Sequence, residues 1–188
     1  LVSILSLGLI TFFIFEAGLP LIFKVGLRNF LFNATWYPSG KPPQFGIAAM
    51  IVGSIWVTLG AILVGVPLGL AVAILLAEIA PPALVMLVRP VIQLLAGIPS
   101  VIYGFIGLTI LAPLVRQLFG GPGLSVLTAA LVLAIMILPS IISISEDALR
   151  AVPRTYRDGA LALGATRWQT IWRVLVPAAR SGIVASVI

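Results

Sequence analysis

Charged and aromatic residues collect in one segment of an otherwise apolar chain, DGALALGATRWQTIWRVLVPAA at residues 158–179. The 188 residues are 61% hydrophobic and only 9% charged, against about 25% charged in an ordinary soluble domain. Side chains such as Asp158 and Arg167 are costly inside a bilayer. We therefore expect this segment to lie in water on one side of a membrane. There it can contact either lipid phosphates or a soluble protein partner.

The same segment predicts two short helices that meet at a glycine. Residues 160–163 are strong helix formers, and Gly164 is expected to end their helix in the left-handed conformation. A second helix starts near Thr166 and ends at Pro177. Its predicted apolar face comprises Trp168, Ile171, Trp172 and Leu175. This cationic, amphipathic pattern leaves the lipid-surface and partner-docking interpretations open.

Several kinds of chemistry lack the residues that they need. Cysteine and histidine are absent, and the five acidic residues are scattered, so no metal site is expected. There is no glycine-rich loop with a following Lys of the Walker type, so ATP hydrolysis on this chain is not expected. Glu16 and Glu78 fall at the ends of apolar runs rather than in their middle, which argues against a proton-coupled secondary transporter. An enzyme embedded in the membrane is disfavoured for the same reasons.

Long uncharged runs must position this polar segment. Residues 47–77 and 91–115 carry no charge, and a run of roughly 18 apolar residues can cross the hydrocarbon core. We therefore predict an all-α membrane protein, a polytopic bundle of transmembrane helices. The 31-residue run 47–77 is expected to tilt, to overhang the core or to break near Gly65, Pro67 and Gly69, and a kink is expected at Pro99. The predicted parts are 1–16 (end of a first span), 17–46 (external connection), 47–79 (second span), 91–116 (third span), 124–145 (fourth span), 146–180 (cytoplasmic loop) and 181–188 (start of a fifth span).

Two further expectations follow from charge and from the ends of the sequence. Of the eleven basic residues, seven fall on the side of the polar segment and four on the other, which predicts a cytoplasmic location for 146–180. The chain starts at Leu1 rather than Met, and its last apolar run stops abruptly. We therefore expect a fragment of a longer protein that is truncated at both ends.

The polar segment resembles the cytoplasmic signature loop of ABC importer permeases, the inner membrane components of binding-protein-dependent transport systems. That loop reads EAA, three residues, Gly, nine residues, Ile, one residue and Leu-Pro. In this chain the spacing is intact over twenty residues, with Asp, Gly, Val and Val as the departures. The matching positions are Asp158, Gly159, Ala160, Gly164, Val174, Val176 and Pro177.

The resemblance implies the fold of type I ABC importer permeases and a mechanical role for this loop. In such permeases the loop carries a coupling helix that fits a groove on an ATP-hydrolysing subunit. The residues that the resemblance assigns to this contact are Asp158, Gly159, Ala160 and Gly164. Arg154 and Arg157 are expected to stabilise the loop electrostatically, or else to contact lipid phosphates. No cofactor is expected on this chain, since ATP and Mg²⁺ belong to the partner subunits.

The rest of the chain is similar to the phosphate-specific branch of this family, and within it to PstC-type subunits. The resemblance lies in TWYP, VGVPLGLAVAILLAE and LLAGIPSVIYGFIGL, and the sister PstA type stays open. It implies translocation of inorganic phosphate, with sulfate, molybdate or tungstate as alternatives. Candidate pathway residues are Ser100, Tyr103 and Arg116, because a guanidinium matches phosphate oxygens. Equally, Arg116 can be an interfacial anchor, and the two hydroxyls can bond carbonyls near Pro99.

The same resemblance implies a set of partners and a location. The partners are a homologous second permease subunit, two cytoplasmic ATP-binding subunits and an extracytoplasmic phosphate-binding protein. Membrane lipid surrounds the spans, and the net charge of +6 is explained by membrane orientation rather than by nucleic acid. The expected location is the bacterial cytoplasmic (inner) membrane, in a multi-pass arrangement.

Overall fold

The computed structural model describes residues 2–188 and is almost entirely helical. The chain divides into two compact units, one up to Ile55 and one comprising Trp56–Ile188. The first unit holds two helices, a two-stranded antiparallel hairpin in which Trp36 pairs with Phe45, and the start of a third helix at Ala48. Its elements are α1 (Val2–Val25), α2 (Leu27–Phe32), β1 (Trp36–Tyr37) and β2 (Gln44–Phe45).

Helix α1 is longer than the predicted end of a first span at residue 16. It continues through Glu16, Gly18 and Pro20 as far as Val25 and contains no buried residue. A single proline removes one backbone hydrogen bond, and the surrounding apolar residues still favour a helix. The predicted external connection 17–46 therefore begins with helix and holds the hairpin.

The remaining helices start at Ala48. All of them belong to the second unit, apart from the residues of α3 up to Ile55. Three of them contain or join a π-helical turn, a local widening of the helix that is frequent at functional sites. The elements are α3 (Ala48–Ile74) with a π turn (Leu75–Ile79), α4 (Pro82–Ala96), α5 (Ser100–Ile106) with a π turn (Gly107–Leu111), α6 (Ala112–Phe119), α7 (Val126–Arg150), α8 (Arg154–Ala162), α9 (Arg167–Thr170) with a π turn (Ile171–Leu175), α10 (Val176–Ala178) and α11 (Arg180–Ala185).

Helix α3 continues through Pro67, so the break, one of the three alternatives for this long run, does not occur. The glycines instead let α3 approach α7 closely: a Cβ atom on Gly69 would lie 2.6 Å from a side-chain atom of Ile141, and one on Gly65 would lie 3.0 Å from Ile137. Small residues at such contacts are the usual basis of helix packing in membranes. The glycine spacing therefore marks a packing face rather than a hinge.

The predicted third span, 91–116, is two separate stretches of helix. Arg89 and Pro90 lie inside α4 rather than in a loop, and α4 ends at Ala96. Pro99 then occupies the N-cap position of α5, so it stands at a helix start, where its missing N–H is harmless. The expected kink is thus a complete break over 97–99, followed by helix over Ser100–Phe119.

Helix α7 is the central element of the second unit and extends five residues beyond the predicted limit of 145. It contains Pro139, which is buried, and it ends at Arg150. Its C-terminal half packs on two apolar clusters. One cluster comprises Ala73, Ile74, Leu149, Ile171, Leu175 and Ala179, and the other comprises Leu76, Ile92 and Ile142.

Four stretches of helix in the described residues are long and apolar enough to cross a membrane. They are Val2–Val25, Ala48–Ile79, Ser100–Phe119 and Val126–Arg150. Helix α4 is apolar but has only 15 residues, which is too short to cross the roughly 30 Å core. The all-α, polytopic fold class is therefore confirmed. The sides of the membrane on which the connections lie stay predictions.

Candidate functional site

The loop after α7 begins with a sharp turn and a short helix that carries the three residues at the EAA positions. Pro153 has extended backbone angles and precedes α8, whose first residue is Arg154. Asp158 and Gly159 are exposed on this helix and Ala160 is half-buried. A Cβ atom on Gly159 would have no atom within 4 Å. The outer face of α8 is therefore open at the residues that the resemblance assigns to a partner.

Gly164 ends this helix in the way that the sequence predicts. Its φ is +84°, a conformation that favours glycine, so the predicted left-handed residue is confirmed. The Gly164 N–H donates to the carbonyl of Leu161 at 3.0 Å, and the Ala165 N–H donates to that of Ala160 at 3.1 Å. These two bonds form a Schellman motif, which satisfies carbonyls at the helix end. The chain then turns directly into the next helix.

The following helix starts with a capping box at Thr166. The Gln169 N–H donates to the Thr166 hydroxyl at 3.3 Å, and the Thr166 N–H donates to the Gln169 side-chain oxygen at 2.9 Å. This reciprocal pair fixes the start of α9 at the position that the sequence predicts. Together the Schellman motif and the capping box give the loop a defined shape between two short helices.

The predicted apolar face of this second helix is only half right. Ile171 and Leu175 are buried in the apolar cluster with α7, whereas Trp168 and Trp172 remain 60% and 44% exposed. The two indole rings contact each other edge to face, with centroids 5.6 Å apart. The predicted face is therefore divided, with Ile171 and Leu175 packed against Leu149 of α7 and the two tryptophans outside this cluster.

A partly buried ion pair connects α8 to the π turn that follows α3. Arg157 donates to the carboxylate of Glu78, which lies in the π turn that follows α3 and whose side chain is only 6% exposed. Arg154, by contrast, is exposed at the start of α8. The structure therefore gives Arg157 a specific carboxylate partner in the loop's immediate surroundings.

A second buried carboxylate lies nearby, at the C-terminal end of α7. Oε1 of Glu146 accepts from Arg89 at 2.5 Å and from Arg150 at 2.9 Å, and the Glu146 side chain is 4% exposed. Arg150 also donates to the carbonyl of Leu76 at 2.9 Å. The hydrogen bond and the charge of Glu146 raise the pKa of the Arg89 guanidinium above its ordinary value. Arg89 and Arg150 therefore lie at the same end of the unit. This agrees with the prediction that both belong to the seven basic residues on the side of the polar segment.

Sequence reasoning missed both of these ion pairs. The partners are 57 residues apart for Arg89 and Glu146, and 79 apart for Arg157 and Glu78. The sequence did contain a signal for such ion pairs. Both glutamates follow directly on long apolar runs, and an acidic residue in such a place usually pairs with a basic side chain. The described residues contain no cluster of three or more acidic residues that could hold a metal ion, and the sequence has no cysteine or histidine.

The three candidate pathway residues do not form one site. The Tyr103 side chain is buried and its hydroxyl donates to the carbonyl of Leu95 at 2.7 Å. This is a bond to a backbone carbonyl near Pro99, the alternative to a place in the phosphate path. Ser100 is exposed at the start of α5, and Arg116 is exposed in the last turn of α6. Sixteen residues of helix separate Ser100 from Arg116, or roughly 24 Å. Only one of these two can therefore contact a given small anion.

The fold and the loop define a class of protein: a multi-pass helical permease whose spans are joined by a capped, cation-rich loop. The comparison with family models places the chain more closely. Residues 65–188 match the family described as binding-protein-dependent transport system inner membrane component. The chain belongs to this family, which confirms the resemblance of its loop to the permease signature. Its location is the inner membrane, in a multi-pass arrangement.

Several curated proteins are similar along most of the chain. The probable ABC transporter permease protein YqgH of Bacillus subtilis is 46% identical over all of this chain and 62% of its own length. The phosphate transport system permease protein PstC of Mesorhizobium japonicum is 38% identical over 85% of this chain and 54% of its own length. A probable protein of the same name in Methanocaldococcus jannaschii is 34% identical over all of this chain and 64% of its own length.

The chain spans between about half and two thirds of the length of the curated relatives that it matches. No solved structure matches it. The comparisons therefore establish the family of the chain, the inner membrane components of binding-protein-dependent transport systems.

Proposed function

We propose that this chain is the permease subunit of an ATP-driven importer that translocates inorganic phosphate. The observation that carries the proposal is the loop over α8 and α9, which combines the permease signature spacing with an outward-facing helix and a buried link to a span. Hydrolysis of ATP takes place on partner subunits, because this chain lacks the phosphate-binding loop that the reaction needs.

The surface of the loop supports docking to a soluble partner. Leu163 is 91% exposed at the turn between the two helices, and Tyr156 on α8 is 55% exposed. Gly159 costs helix stability and has no neighbour within the chain that requires its small size. An exposed apolar tip beside an exposed helix glycine suits close approach by another protein backbone. These features favour docking over a helix pair that only rests on lipid.

The Arg157–Glu78 pair supports a route by which such docking would act on the spans. Glu78 is at the end of the continuous helical stretch Ala48–Ile79, and its carboxylate is buried against Arg157 of α8. A movement of α8 that keeps this pair intact displaces the end of that stretch. Separating the pair instead would leave a buried carboxylate unpaired, which is costly. The pair therefore couples the loop to the span mechanically.

Phosphate is the substrate that the relatives favour. Two of the similar proteins are named phosphate transport system permeases, and the resemblance to the PstC type runs through the spans as well as the loop. Arg116 is the residue of this chain that we assign to the phosphate path, since it is exposed at a span end and offers a planar fork of donors. Tyr103 has a structural role at the break before α5.

The proposed assembly follows from the same assignment. It comprises this permease, a homologous second permease, two cytoplasmic ATP-binding subunits that bind ATP and Mg²⁺, and an extracytoplasmic phosphate-binding protein. In this arrangement the loop 146–180 faces the cytoplasm, in agreement with the excess of basic residues on that side.

Uptake of radiolabelled phosphate tests the proposal. The full-length gene is expressed with its partner subunits in cells that lack their own phosphate permeases, alongside Gly164→Pro. Proline cannot adopt a φ of +84°, so the variant should assemble and hydrolyse ATP without net uptake. Uptake at the native level by this variant would contradict the role of the loop. If the complex hydrolyses ATP and moves sulfate, molybdate or tungstate instead, the loop assignment stands and phosphate is wrong.

Arg116 gives a separate test of the substrate path. Arg116→Ala should reduce phosphate uptake about tenfold while the amount of assembled complex stays the same, since one charge-assisted contact is lost. Arg28→Ala is a matched control, because Arg28 is another exposed arginine, on the side where Arg116 is predicted to lie. Equal uptake by Arg116→Ala and the control would show that Arg116 is only an interfacial anchor.

A further inference from the structure

A cavity beside Glu146 has two guanidinium groups in its wall and no assigned role. It measures about 460 Å³, and Arg89 and Arg150 lie on it together with Gln93. Both arginines remain more than 40% exposed, although each bonds the same buried carboxylate. The two guanidinium groups and the Glu146 carboxylate together leave one net positive charge, which the exposed carboxylate of Asp147, close enough to act on Arg89, partly offsets.

The two arginines have donors to spare. A guanidinium has five N–H donors, and within the described residues Arg89 bonds only through Nη2 and Arg150 only through Nε and Nη2. Glu146 and the Leu76 carbonyl hold the two groups in place, so little side-chain freedom would be lost when an anion binds. Fixed donors with an excess positive charge suit the tetrahedral oxygens of a phosphate group.

The rest of the cavity wall is apolar, which indicates where such a phosphate would come from. Leu76, Val85 and Met86 also line the cavity, and Met86 on α4 is 75% exposed. The cavity lies at the charged end of two apolar helical stretches, beside a helix too short to cross the membrane. Basic pockets of this kind between helices, at the level of lipid headgroups, bind anionic phospholipids.

We propose that the cavity between α4, α7 and the π turn after α3 binds the phosphate group of an anionic ligand through Arg89 and Arg150. Its placement favours the headgroup of an anionic phospholipid as the source, and free inorganic phosphate has the same chemistry. No residue of α8 or α9 lines this cavity, and Arg116 does not line it either. The inference therefore does not depend on which anion the permease transports.

Lipid retention by the full-length permease complex tests this site. The complex is purified in detergent, phosphatidylglycerol or phosphatidylcholine is added, and the retained lipid is counted by native mass spectrometry. A second arm titrates inorganic phosphate calorimetrically without the external binding protein. We expect Arg89→Gln to lower phosphatidylglycerol affinity about tenfold, since one charged donor set is lost. The variant should still fold, because Arg150 continues to pair with Glu146.

Two further variants keep the test specific. Arg89→Lys keeps the charge but loses the planar fork, and it should give intermediate affinity. Arg173→Gln makes the same charge change at an exposed arginine that is not on the cavity, and it should bind like the native protein. Phosphate binding that depends on Arg89 would identify free phosphate as the source. Equal retention of phosphatidylglycerol by all variants, with no Arg89-dependent phosphate binding, would overturn the proposal.

Discussion

Two buried glutamates at the same end of the second unit are partnered in different ways. Glu78 meets one arginine, Arg157, on the short helix of the loop, so the pair is neutral and joins two elements. Glu146 meets two, Arg89 and Arg150, so these three side chains together carry one positive charge, which nearby Asp147 partly offsets, and the two arginines line a cavity. The difference shows that a contact between a glutamate and an arginine can have two roles. In the proposals above, the contact at Glu78 links the loop to a span, and the contacts at Glu146 hold two arginines at an anion site.

The largest expected effect comes from breaking the mechanical link. Arg157→Ala leaves the carboxylate of Glu78 buried and unpaired, and it detaches α8 from the end of the Ala48–Ile79 stretch. We expect phosphate uptake by the full complex to fall at least about tenfold while ATP hydrolysis persists, since about 1.4 kcal/mol of lost coupling corresponds to that factor. Uptake and hydrolysis are measured in the same proteoliposomes. Parallel loss of both activities would indicate misassembly rather than uncoupling.

A smaller effect is expected from removing the acceptor of the cationic cluster. Glu146→Ala leaves Arg89 and Arg150 as adjacent like charges, but both are more than 40% exposed, so water screens much of the repulsion. We expect a loss of stability of about 1–2 kcal/mol, seen as a lower melting temperature of the purified complex. Phosphatidylglycerol retention should not fall, because both guanidinium groups remain. A variant that melts like the native complex would show that the cluster adds nothing to stability.

The smallest effect is expected at the open face of α8. Gly159→Ala adds a methyl group that meets no atom within 4 Å, so it should stabilise the helix by about 0.5–1 kcal/mol. Slower amide hydrogen exchange over 154–162 in the complex without ATP-binding subunits would register this gain. Gly159→Leu should gain less helix stability and should weaken copurification of the ATP-binding subunits. If Leu at this position copurifies as well as Gly, close approach at α8 is not needed.

The parts of the loop that the sequence predicted are those decided by neighbouring residues. A left-handed Gly164 and a helix start at Thr166 depend on one glycine and on one side-chain pair three residues apart. Exposure of the two tryptophans could not be predicted in this way. A regular helical pattern puts them with Ile171, whereas which of these side chains is buried depends on how the segment packs against α7.

Features that depend on the whole chain or on residues far apart in the sequence were predicted unevenly. The polytopic fold could be predicted from composition alone. Long apolar runs favour the membrane over water, and inside a bilayer a helix satisfies every backbone hydrogen-bonding group within the run itself. Helix limits around Arg89 and Pro90 were wrong, since a proline can lie inside a helix that tertiary contacts stabilise. The pairing of Glu78 with Arg157 depends on how α8 lies against the π turn that follows α3. No local pattern could have chosen Arg157 over the exposed Arg154 three residues before it.

The most direct test of the central claim, that α8 acts on the spans through the Arg157–Glu78 pair, is a charge exchange. The ratio of phosphate taken up to ATP hydrolysed is measured in proteoliposomes for Arg157→Glu, Glu78→Arg and the two combined. Each single variant places two like charges in contact and should lose most of the ratio. The combined variant restores an opposite pair and should recover a large part of it. A combined variant that is as uncoupled as the singles, in a complex that still assembles, would contradict the account.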